Sequence, residues 1–427
     1  MNRERIRIRF RHIASNVFVR NVVTLAGGTA LAQAVGLAFA IVLAWLYSPH
    51  DFGIFGVFYA IGAFGSSVFT LKYDLAVVLP KSDVEAKMLS WIASACVLMT
   101  SIVAAVILVI INPWMRQVYG SSAMAWWPVL GALLGFLFAE TYNTQYWLNR
   151  RGMYRAIAQN NVLQTFAAGA CQLGLFFAAG DFRGLIIGQL MAQAIALVTM
   201  KIRAGRYLYS SLPDDAPQFR DVIRKYREMP LLNLPTAVVN SGSSNGLPLT
   251  VGLRGSETLG QFNQAWKIMY VPAVLFTSSV TQVFYREMAN TAPSSLYRLT
   301  KKTISKLAIV AIGPFILLAL IAPTLFPLVF GPQWVEAGQL SRYITPWTYM
   351  MVVTAPLANL FIVTKNQGIL LAYSTLIGAL PILILLVSPL ALAPTLLIVT
   401  SAMCIAHGGM IVVGLLCAKR FGQLNAA

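Results

Sequence analysis

Apolar residues fall in twelve blocks along the chain, at 24–47, 54–71, 88–111, 124–147, 157–179, 184–201, 230–252, 260–284, 305–329, 340–363, 368–388 and 393–417, with short polar loops between them. A hydrocarbon core of roughly 30 Å takes about 20 residues to cross at 1.5 Å rise, and a helix is the only structure other than a barrel that satisfies every backbone group there. The blocks have that length. No polar stretch could fold as a soluble domain, the longest running from Lys201 to Glu228. The pattern therefore predicts an all-α integral membrane protein whose work is done inside the bilayer. Composition agrees, with 58% hydrophobic residues, 11% charged and a mean hydropathy of +0.69.

Charge sets the orientation. Of the 32 Lys and Arg, all but Arg116, Arg183, Arg254, Lys267 and Arg342 fall in the N-terminal stretch, the even-numbered loops or the C-terminal stretch. The positive-inside rule then places both termini of a multi-pass chain in the cytoplasm. A net charge of +18 would suit nucleic acid, but it is spread over many short loops rather than gathered on one module, so no nucleic-acid partner is expected. The alternating Arg3, Arg5, Arg7, Arg9 run reads as a segment lying on anionic lipid of the inner leaflet, ahead of an uncleaved first span. Cys96, Cys171, Cys404 and Cys417 sit in apolar blocks without ligand-like spacing and read as packing residues. No motif calls for a metal or a cofactor, and none presents a catalytic constellation.

Landmarks recur between the halves. Ser48-Pro49-His50-Asp51-Phe52-Gly53 after the first block answers to Ser256-Glu257-Thr258-Leu259-Gly260 after the seventh. Val118-Tyr119-Gly120 answers to Val329-Phe330-Gly331, and Lys72-Tyr73-Asp74-Leu75-Ala76 to Tyr285-Arg286-Glu287-Met288-Ala289. Any one pair could be a helix cap that looks alike by chemistry; three in order point to a duplicated six-helix unit. With six spans per copy, the copies share one orientation and form parallel repeats. The expected architecture is twelve transmembrane helices in two six-helix bundles around a central cavity. Its divisions are a cytoplasmic amphipathic segment at 1–22, bundles at 23–204 and 230–418, a cytoplasmic linker at 205–229 and a tail at 419–427.

Polar groups inside spans are costly and mark a water-filled path or a bundle interior. The seventh block carries Asn233, Asn240 and Asn245 among Pro230, Pro235, Gly242, Gly246 and Pro248, which predicts a bent or locally unwound helix. Gln33 in the first block and Asn161 in the fifth belong to the same set. Small-residue packing and interhelical hydrogen bonds account for such residues singly; together the amides suit a lining for sugar hydroxyls. Lys267 lies within the eighth span, where it either snorkels outward or presents an ammonium to an anionic headgroup. Trp266 and Tyr270 beside it are placed to stack on sugar rings, and Arg342 in the tenth span is a weaker companion. Glu140 is the carboxylate that falls clearly within a span, either paired or protonated for structural reasons or engaged in ion coupling.

The landmarks Tyr47-Ser48-Pro49-x-Asp51-Phe52-Gly53-Ile54-Phe55, Lys72-Tyr73-Asp74-Leu75-Ala76-Val77-Val78-Leu79-Pro80 and Phe330-Gly331-Pro332-Gln333-Trp334-x-x-Ala337-Gly338 together resemble Wzx-type polysaccharide and O-antigen flippases of the multidrug, oligosaccharidyl-lipid and polysaccharide (MOP) exporter superfamily. The resemblance covers essentially the whole chain. It implies alternating-access transfer of undecaprenyl-pyrophosphate-linked oligosaccharide from the inner to the outer leaflet, with membrane lipids, a polysaccharide polymerase and a chain-length regulator as further partners. It implies no enzyme activity. Two other readings stay open at this point. One is a cation-coupled multidrug and toxin extrusion antiporter of the same fold, against which the first span offers no Asp or Glu. The other is a non-transporting scaffold of a polysaccharide assembly complex, which has little reason to keep the polar seventh span.

Overall fold

The computed structural model describes residues 17–119, 126–214, 216–289 and 291–424, so most of the 1–22 segment, Gly120 of the repeat landmark and the last residues of the tail lie outside the described residues. Among the described residues the chain is helical, with no strand. Its long helices are α1 (Val17–Leu46), α2 (Pro49–Val68), α3 (Asp83–Ile110), α4 (Val129–Arg150), α5 (Tyr154–Ala179), α6 (Phe182–Ala204), α7 (Leu234–Gly252), α8 (Ser256–Ala289), α9 (Leu296–Phe330), α10 (Val335–Thr354), α11 (Gln367–Val387) and α12 (Leu392–Leu424). Each coincides with a predicted block. Nine of them are long and apolar enough to cross a membrane. Two others, α4 and α7, are diluted by Glu140 and its amide neighbours and by the Asn-Ser-Gly run, and much of α8 lies outside the residues searched.

The landmark residues are helix punctuation. Ser48 caps α2: its hydroxyl accepts from the Asp51 amide at 3.2 Å, while the Asp51 carboxylate accepts from the Ser48 amide at 3.0 Å, with Pro49 opening the helix. The second oxygen of Asp51 accepts from the Phe182 amide at 3.0 Å and ties the start of α2 to the start of α6. At the other end of α2, Leu71 and Lys72 take left-handed φ of 46° and 65°, and Asp74 accepts from the Thr70 hydroxyl at 2.7 Å. Burial pushes the Asp74 carboxyl upward against the opposing effects of Thr70 and Lys72. Gly331, at φ 109°, ends α9 with a backbone that a side chain would strain.

In the seventh block, expected to be bent or locally unwound, α7 runs as a helix through Asn240–Asn245. The irregularity lies earlier, as a π-turn over Met229–Asn233 that Pro230 opens. Gly and Ser lose to competing conformations where water can bond the backbone, but a membrane offers no such competitor, so the ladder survives them. Pro235 falls in the first turn, where its missing amide hydrogen is not needed.

Contacts divide the chain into two compact units, 1–241 and 242–427. In the first, α2, α3 and α6 pack on α4, and α5 packs on α6 and on α1. In the second, α8, α9 and α12 pack on α10, and α11 packs on α12. The pairings on α4 and on α10, and those of α5 with α6 and of α11 with α12, take the same positions in the helix order. Large apolar side chains point outward along the helices, among them Ile102, Val106 and Ile110 of α3 and Ile309, Leu317 and Leu328 of α9, as a lipid solvent requires.

The stretch at 205–229, expected as a linker, packs within the first unit against α3 and α4. Leu208 and Val222 enter one buried cluster with Tyr73, Met88, Leu89 and Trp147. The Trp91 indole donates to the Leu208 carbonyl at 2.9 Å, and the Lys87 ammonium donates to the Ser210 carbonyl, to the Ser210 hydroxyl at 2.9 Å and to the Ser211 carbonyl at 3.2 Å. Lys225 pairs with Glu85 at 2.5 Å.

Candidate functional site

In the first unit the polar residues turn inward and satisfy one another. Glu140, 3% exposed on α4, is paired with Lys201 of α6 at 3.0 Å, and the lysine side chain is 39% exposed. Its other oxygen, Oε1, has no hydrogen-bond partner among the described residues. The Lys201 ammonium also lies 5.9 Å from the ring centre of Tyr209, on the short helix Arg206–Tyr209. Burial and then the Glu140 carboxylate push that phenol up to about 12, so it stays neutral. One residue on, an amide chain crosses the helices: Gln164 of α5 donates to Gln193 of α6 at 2.5 Å, and Gln193 donates to the Thr141 hydroxyl of α4 at 2.9 Å. Asn143 bonds the Ser90 carbonyl at 2.9 Å and the Ser94 hydroxyl at 3.0 Å on α3. Low-dielectric surroundings strengthen such a network and make each loose end costly.

Sequence reasoning singled out Glu140 but passed over Gln193 and Lys201, which hold the network. Gln189 and Gln193, one turn apart inside an apolar span, were the available signal; Lys201 reads only as one more inner-loop charge. Of the other first-unit candidates, Gln33 is exposed on α1, and Asn161 is half-buried on α5, its carbonyl accepting from the Thr165 hydroxyl. Asn233 lies exposed in the π-turn, its amide 3.4 Å from the Met229 sulfur. Asn240 is exposed on α7, and Asn245, across the unit division, is half-buried.

In the second unit the charges are displayed. Lys267 and Arg342 are both exposed, and neither has a hydrogen bond or ion pair among the described residues. The register of α8 against α10 sets their relation. Gln261 accepts from the Ala337 amide at 2.8 Å, and the Thr345 hydroxyl reaches the Met269 sulfur at 3.6 Å; both pairs are 76 positions apart. Two contacts with one offset mean that the helices run in parallel. Arg342 therefore lies level with Trp266, one residue from Lys267. The two cations share a depth about eleven residues, or roughly 16 Å, along α8 from its start at Ser256.

The aromatic neighbours do not flank the ammonium as a clamp. Phe262, Trp266 and Tyr270 follow at one-turn spacing and stack on one another, with centroids 6.0 Å apart at 20° and 13°, and Trp266 also leans on Trp347 of α10 at 4.7 Å. The ladder leaves Tyr270, 40% exposed, as its free end. Residues 242–427 hold a different cation, half-buried: Arg254, between α7 and α8, donates to the carbonyls of Leu385, Ser388 and Leu390 and to the Thr395 hydroxyl. It fastens the end of α11 with four acceptors and no acid.

A family model described as polysaccharide biosynthesis protein matches residues 42–339. None of the curated proteins matches the sequence. Among solved structures, the lipid II flippase MurJ in an inward closed conformation superposes with a TM-score of 0.71 at 12% identity, over 94% of this chain and 91% of that one. The inward-facing conformation of a multidrug resistance MATE family transporter of the MOP superfamily gives 0.68 at 13%, over 95% and 100%. An outward-facing MATE family transporter gives 0.51 at 13%, over 95% and all but a few residues of that chain. At such identities the likeness is one of fold.

Proposed function

Because the chain belongs to the family of polysaccharide biosynthesis proteins and has the fold of MOP-superfamily transporters, we propose that it is a flippase for lipid-linked oligosaccharide, moving undecaprenyl-pyrophosphate-linked units from the inner to the outer leaflet of a bacterial cytoplasmic membrane by alternating access. The observation that carries the reading is the pair Lys267 and Arg342, two cations at one depth of the membrane with no acid against them. A pyrophosphate, or an acidic sugar next to it, is the ligand that such a pair suits, since charge-assisted bonds to phosphate oxygens repay the desolvation. Tyr270, at the end of its ladder, and Asn245 of α7 in the same unit are the groups that would meet sugar. Absence of any carboxylate from α1 weighs against a cation-coupled drug antiporter.

The test is transport of a fluorescent undecaprenyl-pyrophosphate-linked oligosaccharide in proteoliposomes, read by accessibility to an impermeant quencher. Lys267→Ala is expected to lower the rate at least tenfold and Lys267→Arg to keep most of it. Equal rates for wild type and the Ala variant would leave Lys267 as a snorkelling residue. Efflux of organic cations without flipping would replace the reading by drug export.

The orientation is tested separately. Single cysteines at Arg116, Arg183, Glu257 and Glu336, all exposed, are expected to react with an impermeant thiol reagent in intact spheroplasts, and cysteines at Lys81 and Arg151 only after lysis. Asp51 is unsuited to this experiment because it is buried and caps α2. If Glu140 couples transport to protons, Glu140→Gln flips without responding to a pH gradient. An unchanged response would assign the carboxylate to structure alone.

A further inference from the structure

The short helix Phe219–Lys225 and the π-turn that follows carry two kinds of surface. Val222 is buried, and Tyr226 packs beside it in the cluster under α3 and α4. The outer surface is exposed and mixed: Ile223, 42% exposed, is followed by Leu231 and Leu232 at 65% and 64%, while Phe219, also 42% exposed, keeps one face on Trp91. Beside them Arg220, Arg224 and Arg227 are exposed, and none of the three guanidinium groups has a hydrogen bond or ion pair among the described residues, although Asp221 and Glu228 stand in the same stretch. An open depression is lined by Asp221, Arg224, Lys225, Arg227 and Glu228. The carboxylate of Glu85 is spent on Lys225, so it does not neutralise the arginines.

The element does not move freely. Phe219 stacks on Trp91 at 6.4 Å and 18°, Trp91 holds the Leu208 carbonyl, and Lys87 holds Ser210 and Ser211. A fixed, half-apolar strip with unpaired arginines at the point where the chain enters α7 has the make-up of an interfacial segment, in which apolar residues dip to the acyl boundary and cations stay at the level of the phosphates.

We propose that Arg220, Arg224 and Arg227 form a binding site for anionic phospholipid headgroups at the membrane face, with Phe219, Ile223, Leu231 and Leu232 against the acyl chains. The charge complementarity commits the site to bulk anionic phospholipid. This lipid holds the 205–229 stretch at the bilayer while the transported molecule binds elsewhere. The proposal is independent of the transport reading, because it concerns a permanent lipid contact rather than cargo.

The test is native mass spectrometry of the full-length protein in detergent, titrated with phosphatidylglycerol, with phosphatidylcholine and with undecaprenyl pyrophosphate. Each basic residue at an anionic surface is worth roughly a fivefold factor, so Arg220→Ala/Arg224→Ala/Arg227→Ala is expected to weaken phosphatidylglycerol retention on the order of 100-fold and leave phosphatidylcholine retention unchanged. The triple Lys variant, which keeps the charge, is expected to restore most of it and shows that the Ala result is not misfolding. Equal phosphatidylglycerol retention by wild type and the Ala variant overturns the site. Loss of undecaprenyl pyrophosphate binding in the Ala variant, with phosphatidylglycerol unaffected, overturns it too and makes the patch an entry point for cargo.

Discussion

The two units are each built on a helix that three others pack against, α4 in the first and α10 in the second, yet they treat charge in opposite ways. On α4 the carboxylate of Glu140 is buried and answered by Lys201, and the amides around it bond one another. On α10 and its parallel neighbour α8, Arg342 and Lys267 stand exposed with no acid against them. Helix packing asks only that the residues at each crossing be of fitting size, so one packing scheme accommodates both arrangements. A buried charge must be neutralised within the fold. An exposed cation at membrane depth is retained where water or an anion meets it. The contrast is one of membrane-spanning helices: the carboxylate of α4 is answered inside the fold, while Lys267 and Arg342 of α8 and α10 have no acid against them among the described residues.

The comparison breaks first at the displayed cations. Lys267→Ala/Arg342→Ala is expected to bring flipping in proteoliposomes down to the level of protein-free vesicles while the unfolding midpoint in detergent stays where it was, since neither side chain holds a partner. Unfolding well below the wild-type midpoint would mean that both units spend charge on structure.

Lys201→Met tests the other side. It leaves Glu140 buried without its counter-charge, and with half-exposure of the lysine taken into account the loss is about 2 kcal/mol, read by denaturant titration in mixed micelles. Adding Glu140→Gln to that variant should recover most of the loss, because the buried charge is then gone. No recovery would assign the defect to lost packing of the lysine stem instead.

Arg254 sharpens the contrast, for it is a second-unit cation that does serve structure. Burial pushes its guanidinium down without discharging it, and it bonds carbonyls rather than an acid. Arg254→Gln is expected to cost about 1–2 kcal/mol through lost charge-assisted hydrogen bonds, with faster amide exchange confined to the end of α11 and the turn before α12. A transport defect as large as that of Lys267→Ala would move it into the site. The smallest effect belongs to the ladder: Trp266→Phe keeps the stacking sequence and should change stability by less than about 1 kcal/mol, with a matching loss of the tryptophan emission quenched by Trp347.

Much of the fold was legible because a bilayer leaves few choices. Twelve apolar blocks match twelve long helices, and Ser48, Asp51 and Gly331 mark helix ends for reasons of cap chemistry that act locally. The site was legible in part. Lys267 and Arg342 stood out as charges in apolar spans, but their common depth depends on the register of α8 against α10, which Gln261 and Met269 set across 76 residues. Trp266 and Tyr270 were visible as aromatics beside a lysine. Their one-turn spacing to each other, which turns them into a ladder, outweighed that adjacency.

The sequence alone determined that this chain is helical and crosses a membrane many times, because backbone satisfaction in hydrocarbon acts on each segment separately. Only the tertiary structure decided which polar groups meet. Glu140 pairs with Lys201 across 61 positions of chain, Gln193 joins Thr141 and Gln164, and the 205–229 stretch, polar enough to read as a tether, becomes part of a core through Leu208 and Val222. Those outcomes depend on the rotation and register of neighbouring helices, and a pattern of hydrophobic positions fixes which face a helix buries but not the partner it meets there.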